Sequence, residues 1–164
     1  MTVGLLLDRL WASTDARQRI EQDPLFWPRR YDDLRDVEIA VFFASTLAYG
    51  RVELFRRVLV DLFALFDAHG GPACFVSGFR PDVEGRLMAG IAYRFHRARD
   101  LVVLVATLRR IFESVDSLED ILVLGVHQEA GMAAGLDGLV GAMRKAACEV
   151  EGVENFSQLG RGVR

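Results

Sequence analysis

Three arginines and a histidine alternate with aromatic rings in the sequence Tyr-Arg-Phe-His-Arg-Ala-Arg, which runs from Tyr93 to Arg99. Guanidinium groups bind phosphates through paired hydrogen bonds, and aromatic rings stack on nucleic-acid bases. This composition is typical of a contact with a nucleic-acid backbone. The candidate contact residues in this segment are Arg94, His96, Arg97 and Arg99.

A second interpretation of the same segment stays open. In it, the segment is a loop between two helices whose rings, Tyr93 and Phe95, anchor the core. The guanidinium of Arg94 then pairs with an internal carboxylate and contacts no ligand. A segment of three arginines and rings is compatible with both interpretations.

A tight corner between two helices is predicted at Tyr49-Gly50-Arg51, because glycine adopts the left-handed conformation that ends a helix. Arg51 then lies at a helix N-terminus, where free N–H groups and the helix dipole favour a phosphate. Tyr49 either stacks on a base or closes the corner against the core. Tyr49 and Arg51 complete the set of candidate DNA-contact residues.

The sequence contains no pattern of a catalytic or metal site. Its three histidines and two cysteines lack metal-ligand spacing, and no phosphate-binding loop, dinucleotide fingerprint or nucleophile elbow occurs. The acidic pairs Asp32-Asp33 and Glu119-Asp120 fit helix N-termini better than acid/base catalysis. We therefore predict no metal ion, no cofactor and no catalytic residue.

The composition describes one domain with a large core. The 164 residues are 51% hydrophobic and carry a formal net charge of -3, so any nucleic-acid contact must be local. The apolar start of the chain is interrupted by Asp8 and Arg9 and does not fit a signal peptide. No uncharged apolar run reaches membrane-spanning length. These observations predict a cytoplasmic protein with no membrane partner.

Apolar periodicity predicts an all-α fold, an orthogonal multi-helix domain around a buried central helix at about 36–49. The residues from Val37 to Ala48 are almost all apolar, which predicts a helix buried nearly all round and capped by Asp36. An amphipathic helix, 52–67, follows and completes an αα-hairpin. Further helices are expected at 3–11, 83–93, 101–112 and 136–151, and another that is capped by Asp116 or Ser117 and ends at about Leu124. The two prolines of 24–31 predict an extended strap with Phe26 and Trp27 in the core.

The combination of four short motifs resembles the first part of an uncharacterised bacterial family, a domain of unknown function. The motifs are Asp36-x-Glu38-Ile39-Ala40, Leu47-Ala48-Tyr49-Gly50-Arg51, Tyr93-Arg94-Phe95 before Asp100-Leu101, and Ser117-Leu118-Glu119. The resemblance covers about 23–124. Members of that family are distantly similar to helix-hairpin-helix DNA glycosylases of the endonuclease III type.

This resemblance implies duplex DNA as a partner. The central hairpin would correspond to the helix pair whose loop enters the duplex beside a flipped base, and Tyr49 would fill the gap in the stack. Glycosylases of this type carry a catalytic Asp, and in some members a Lys, in their later part. Lys145, the only lysine here, lies in an ordinary predicted helix.

Two functions therefore follow from the sequence. The first is a DNA-glycosylase-like helical domain with nonspecific DNA contact, which is inactive alone. In this interpretation, residues 1–164 are the N-terminal portion of a longer protein and contact its missing C-terminal segment. The second is a helical scaffold or protein-interaction domain without nucleic-acid binding.

Overall fold

The computed structural model describes residues 2–13, 20–21, 23–129 and 131–150, and within these ranges it is helical with no β-strand. The all-α prediction is confirmed. The helices with fully described bounds are α1 (Val3–Ala12), α2 (Leu34–Leu47), α3 (Val52–Ala68), α4 (Pro72–Ser77), α5 (Ala98–Phe112), α6 (Leu118–Glu129) and α7 (Met132–Cys148).

Helix α2 begins after Asp33, whose carboxylate accepts hydrogen bonds from the N–H groups of Arg35 and Asp36 at 3.0 and 3.2 Å. The predicted cap, Asp36, lies inside the helix. The prediction that this helix is buried nearly all round is also wrong, because the side chain of Val41 is 45% exposed. A single face enters the core, formed by Ile39, Ala40, Phe43, Ala44 and Leu47.

Helix α3 confirms the predicted amphipathic pattern. Its apolar face is buried and comprises Phe55, Val58, Leu59, Leu62, Phe63 and Phe66. The ring of Phe66 contacts that of Phe43 on α2 at a centroid distance of 5.4 Å with an edge-on orientation, a favourable arrangement for two aromatic rings. The two helices of the hairpin therefore share one aromatic core.

The segment before α2 forms two short 3-10 turns, Pro24–Phe26 and Pro28–Arg30, and not the predicted extended strap. Proline at the first position of each turn has a φ that suits helical geometry and lacks an N–H that would be unsatisfied there. Trp27 is buried as predicted, stacked on Phe63 at 4.8 Å. Phe26 is partly buried against the same cluster.

Two carboxylates of α2 accept hydrogen bonds from the N-termini of other helices. Asp36 accepts from the backbone N–H of Ala73 in α4 at 2.7 Å. Glu38 accepts from the hydroxyl of Ser117 and from the N–H groups of Leu118 and Glu119 at 3.1 and 3.2 Å, at the start of α6. These contacts satisfy donors that have no partner inside their own helices. The Asp-x-Glu motif thus positions α4 and α6 around α2.

Helices α6 and α7 form a close antiparallel hairpin, in which α7 also packs on α5. A Cβ atom added to Gly125 would lie 2.7 Å from the carbonyl oxygen of Ala134, and one added to Gly135 would lie 2.7 Å from that of Leu122. Glycine at both positions lets the backbones touch. The sequence predicted that the first of these helices ends at about Leu124 and that the second begins at Leu136. In the structure α6 continues to Glu129 and α7 begins at Met132.

Two other element predictions need correction. The predicted helix 83–93 is only a 3-10 turn, Glu84–Met88, and it is followed by irregular backbone. Helix α5 begins at Ala98, three residues before the predicted start. The difference arises because Asp100 does not precede the helix but lies in its first turn. From there its carboxylate accepts a hydrogen bond from the backbone N–H of Arg97, the residue before the helix, at 2.7 Å.

The buried face of α2 gives a direct test of its position. Phe43→Asp places an unpaired charge at a site with 0% exposure, which costs several kcal/mol and is comparable with the whole stability of a domain. We expect this variant to lose its cooperative thermal transition in circular dichroism. Val41→Asp on the exposed face is the control and should change the free energy of unfolding by about 0.5 kcal/mol or less. Equal effects of the two substitutions would contradict the orientation of α2.

The phenol of Tyr31 gives a test of alkaline stability. Its burial, followed by its hydrogen bond to Asp67 at 2.6 Å, raises the pKa of Tyr31 above its ordinary value. The neutral phenol is therefore favoured in the folded state, and this stabilisation is present below about pH 10 and lost as the pH rises further. Urea unfolding at several pH values should show a shallower alkaline loss of stability in Tyr31→Phe. Parallel pH profiles of the two proteins would refute the assignment.

Candidate functional site

The corner between α2 and α3 packs against the turn that precedes α5. Helix α2 ends at Leu47, and Gly50 has a φ of 84°, the left-handed conformation predicted for this position. A Cβ atom at Gly50 would lie 2.9 Å from the hydroxyl of Tyr93 and 2.9 Å from a guanidinium nitrogen of Arg94. Glycine is therefore required here both for the backbone conformation and for the close approach of the second segment.

The second segment is a two-residue hairpin turn closed by Tyr93 and His96. The backbone N–H of each residue donates to the carbonyl oxygen of the other, and both distances are 2.8 Å. Arg94, the first central residue, has a φ of 51°. Glycine is usual at a positive-φ position of such turns, and a branched or long side chain there is strained. The two hydrogen bonds between Tyr93 and His96 place the central residues, Arg94 and Phe95, at the tip of the turn.

Reciprocal tyrosine contacts join the corner to the turn. The hydroxyl of Tyr93 donates to the carbonyl oxygen of Tyr49, and the hydroxyl of Tyr49 lies 3.3 Å from the carbonyl oxygen of Tyr93 and 2.9 Å from Nδ1 of His96. The two tyrosine rings have a centroid distance of 4.9 Å. Tyr93 is only 4% exposed, so this junction forms the edge of the core.

The outer side of the junction presents a ring and a guanidinium to solvent. The ring of Phe95 is 81% exposed and lies parallel to that of Tyr49, with an interplanar angle of 8° and a centroid distance of 6.4 Å. The guanidinium carbon of Arg94 lies 5.9 Å from the Tyr49 centroid and 5.8 Å from the Phe95 centroid. Both distances are within the range of cation–π attraction, which orients Arg94 beside the exposed ring.

The arginines around this junction differ in their charge partners. Arg51 lies 3.9 Å from Glu53, and Arg99 lies 3.5 Å from Asp100, so both charges are partly compensated. Within the described residues, the side chains of Arg94 and Arg97 form no ion pair. Arg94 and Arg97 therefore supply the uncompensated positive charge of this surface.

Two helices also begin at this junction. Arg51 is the residue before α3, and Arg97 is the residue before α5. The first N–H groups of a helix have no intrahelical partner, and the helix dipole adds partial positive charge there. We call the surface formed by the following residues the corner surface: Tyr49, Arg51, Arg94, Phe95, His96, Arg97 and Arg99.

The six predicted site residues therefore come from two segments that the fold brings together. Tyr49 contacts both Arg94 and His96, while the three other arginines flank them at the starts of α3 and α5. The alternative interpretation placed both rings in the core and paired Arg94 with a carboxylate. The structure agrees with it for Tyr93, which is buried, but Phe95 is exposed and Arg94 pairs with no carboxylate of the described chain. Phe95 was absent from the predicted set. The feature that identifies Phe95 is its position as one of the two central residues of the turn, where side chains lie at the surface.

Three acidic residues in and before α2 have structural roles. Asp33, Asp36 and Glu38 are bound to the N-termini of α2, α4 and α6, as described above. Across the described ranges, no group of three His, Cys, Asp or Glu residues could hold a metal ion. No described helix is both long and apolar enough to cross a membrane.

Comparison with known proteins places this helical domain in a family. The model of a family described as "Protein of unknown function (DUF2400)" matches residues 23–160, and the chain belongs to that family. The match contains the whole corner surface and leaves α1 outside it. Searches of the curated proteins and of the solved structures found no match.

The fit between the corner and the turn depends on Gly50. Gly50→Ala adds left-handed backbone strain and a Cβ atom against Tyr93 and Arg94, so we expect a loss of about 1–3 kcal/mol in the free energy of unfolding. Gly90→Ala is the matched control, because a Cβ atom there meets nothing within 4 Å. Guanidinium chloride unfolding measures both. Equal stability of the two variants would show that the corner and the turn are not packed together.

Proposed function

We propose that the corner surface binds DNA without sequence specificity. The observation that carries this proposal is the position of Arg94 and Arg97, two arginines without ion pairs in the described structure, beside an exposed aromatic ring. Guanidinium groups contact phosphates, and contacts of this kind carry no sequence information. The chain as a whole is acidic, so the attraction must be local and short-ranged.

The starts of α3 and α5 support the same proposal. Each carries partial positive charge on the backbone N–H groups of its first turn, and phosphates bind at such helix ends; at the start of α5 the N–H of Arg97 is already bound to Asp100, so the N–H groups that follow it are the ones available. Arg51 and Arg99 can exchange their exposed carboxylate partners for a phosphate at little cost, because exposed ion pairs contribute about 0–1 kcal/mol. The corner surface thus offers several contacts along one DNA backbone.

The resemblance to helix-hairpin-helix DNA glycosylases also motivates the proposal. In that resemblance, the hairpin α2–α3 would correspond to the helix pair that meets DNA in those enzymes, and its corner would carry the proposed contact. The hydroxyl of Tyr49 lies within hydrogen-bond distance of His96 and of the carbonyl oxygen of Tyr93, which favours the interpretation in which Tyr49 closes the corner over the one in which it stacks on a base. We assign no catalytic step to this chain. Lys145 lies exposed on α7, which is not part of the corner surface.

A helical scaffold or protein-interaction domain is the second candidate, and α1 favours it. This helix buries none of its residues, and the side chains of Val3, Leu5, Leu7 and Trp11 are all more than half exposed. Exposed apolar side chains grouped on one helix are typical of surfaces that bind other proteins. Helix α1 precedes the part of the chain that the family match covers.

Fluorescence anisotropy with a labelled duplex tests the first candidate. Phosphate contacts release counterions, so the observed binding constant should fall steeply between about 50 and 200 mM salt. Arg94→Ala combined with Arg97→Ala removes two phosphate contacts. This double variant should bind more weakly and show a slope of log K against log salt that is shallower by about 2.

The control variant combines Arg29→Ala with Arg144→Ala. These exposed arginines lie on other elements and, in the described structure, form no ion pair, so the change in net charge is the same. Its salt slope should equal that of the unchanged protein. Absence of binding at low salt, or equal losses in the two double variants, would exclude the corner surface as a DNA-binding site and leave the scaffold function.

A further inference from the structure

The ring of Phe95 is 81% exposed at the tip of the turn that precedes α5. It buries little apolar area, whereas most of the other phenylalanine rings in the described part of the chain are buried. Its orientation is nevertheless defined. The ring is parallel to Tyr49 and is flanked by the guanidinium of Arg94. The turn therefore presents a flat, oriented aromatic face to solvent.

A phosphate does not use such a face, but a nucleobase does. Bases stack on aromatic side chains regardless of sequence, because every base has a π-face. In an intact duplex those faces are already covered by neighbouring base pairs. Only an unpaired or unstacked nucleotide can place its base on Phe95 while its phosphate lies against Arg94 or Arg97.

We propose that the corner surface prefers single-stranded DNA over intact duplex, with the base of one unpaired nucleotide stacked on Phe95. This inference rests on the proposed DNA binding and specifies its substrate. The arginines provide the attraction that both forms of DNA share, and Phe95 provides the discrimination between them. Tyr49 lies parallel to the ring on its inner side, and its own hydroxyl is bound to His96, so neither residue contacts the base in this proposal.

The positions of these residues fit the proposal that the arginines bind phosphates and that Phe95 binds one base. Arg94 is next to Phe95 in the chain, and its guanidinium lies 5.8 Å from the centre of the ring. Arg97 lies two residues further on, at the start of α5. One exposed ring can stack one base, so the preference should correspond to one base and not to a long track of nucleotides.

Anisotropy titrations with an oligothymidylate of about 24 nucleotides and with a blunt G·C-rich duplex of about 12 base pairs, which has about the same number of phosphates and stays paired, test the preference. The unchanged protein should bind the single strand more tightly. Phe95→Ala should weaken single-strand binding roughly tenfold, the effect of losing one stacked base, and leave duplex binding within about twofold. Phe95→Trp should retain the preference, because it keeps a stacking ring.

A second measurement reports stacking directly. The tryptophan in Phe95→Trp should lose fluorescence when the oligothymidylate is added, relative to the same titration of the unchanged protein. Leu34→Ala is the matched control for removal of an exposed apolar side chain, since Leu34 is 80% exposed and lies at the start of α2. It should alter neither titration.

The outcomes separate the two proposals. The DNA-binding proposal stands if the double variant Arg94→Ala with Arg97→Ala binds both DNAs more weakly. The single-strand preference is refuted if Phe95→Ala leaves the affinity for both DNAs unchanged or lowers both affinities by the same factor. If the unchanged protein binds neither DNA at low salt, both proposals are refuted. A selective loss in Phe95→Ala, retained binding in Phe95→Trp and quenching of its fluorescence would together support the stacked nucleotide.

Discussion

The hydrogen bonds between the carboxylates of α2 and the N-termini of two other helices organise this fold. Asp36 and Glu38 lie two residues apart and point to α4 and α6, respectively. An ionised carboxylate bound to backbone N–H groups satisfies donors that would otherwise have no partner and also interacts favourably with the helix dipole. One short segment therefore determines where two later helices begin. It also leaves the apolar face of α2 free to pack against α3.

The corner surface depends on that arrangement. Because α2 is fixed at its start by these contacts and along its length by the core, its end at Leu47 is fixed too. Gly50 then reverses the chain and admits the turn of Tyr93 and Arg94. Hydrogen bonds and a ring contact between Tyr49 and Tyr93 join the two segments on the core side, and Arg94 and Phe95 face solvent. Rigid helices thus position a surface whose outer residues all come from a turn and two helix ends.

Local sequence patterns predicted the elements that depend on periodicity. The spacing of apolar residues predicted α3 with its buried face, and Gly50 predicted the corner. What periodicity could not show was the partner of each carboxylate. A helix cap taken from a neighbouring helix depends on tertiary position, so Asp36 was assigned to its own helix and the role of Glu38 at α6 was missed. The apolar run of α2 likewise predicted burial on all sides, although Val41 faces solvent.

The candidate site was predictable in its composition but not in its geometry. Arginine, histidine and aromatic residues near one another in sequence identified the segment before α5, and the corner was identified separately. Their contact joins residues 44 positions apart and depends on a missing Cβ atom at Gly50. The outward ring of Phe95 followed from a turn conformation that arginine rarely adopts. These features are set by packing and backbone strain, which no local pattern expresses.

The long sequence separation of the tyrosine contacts has a consequence for folding. A contact across 44 residues requires closure of a long loop, and the entropy of that closure is lost before the contact contributes any stability. The charged, aromatic surface therefore exists only in chains that have already closed this loop, and the unfolded chain does not present it.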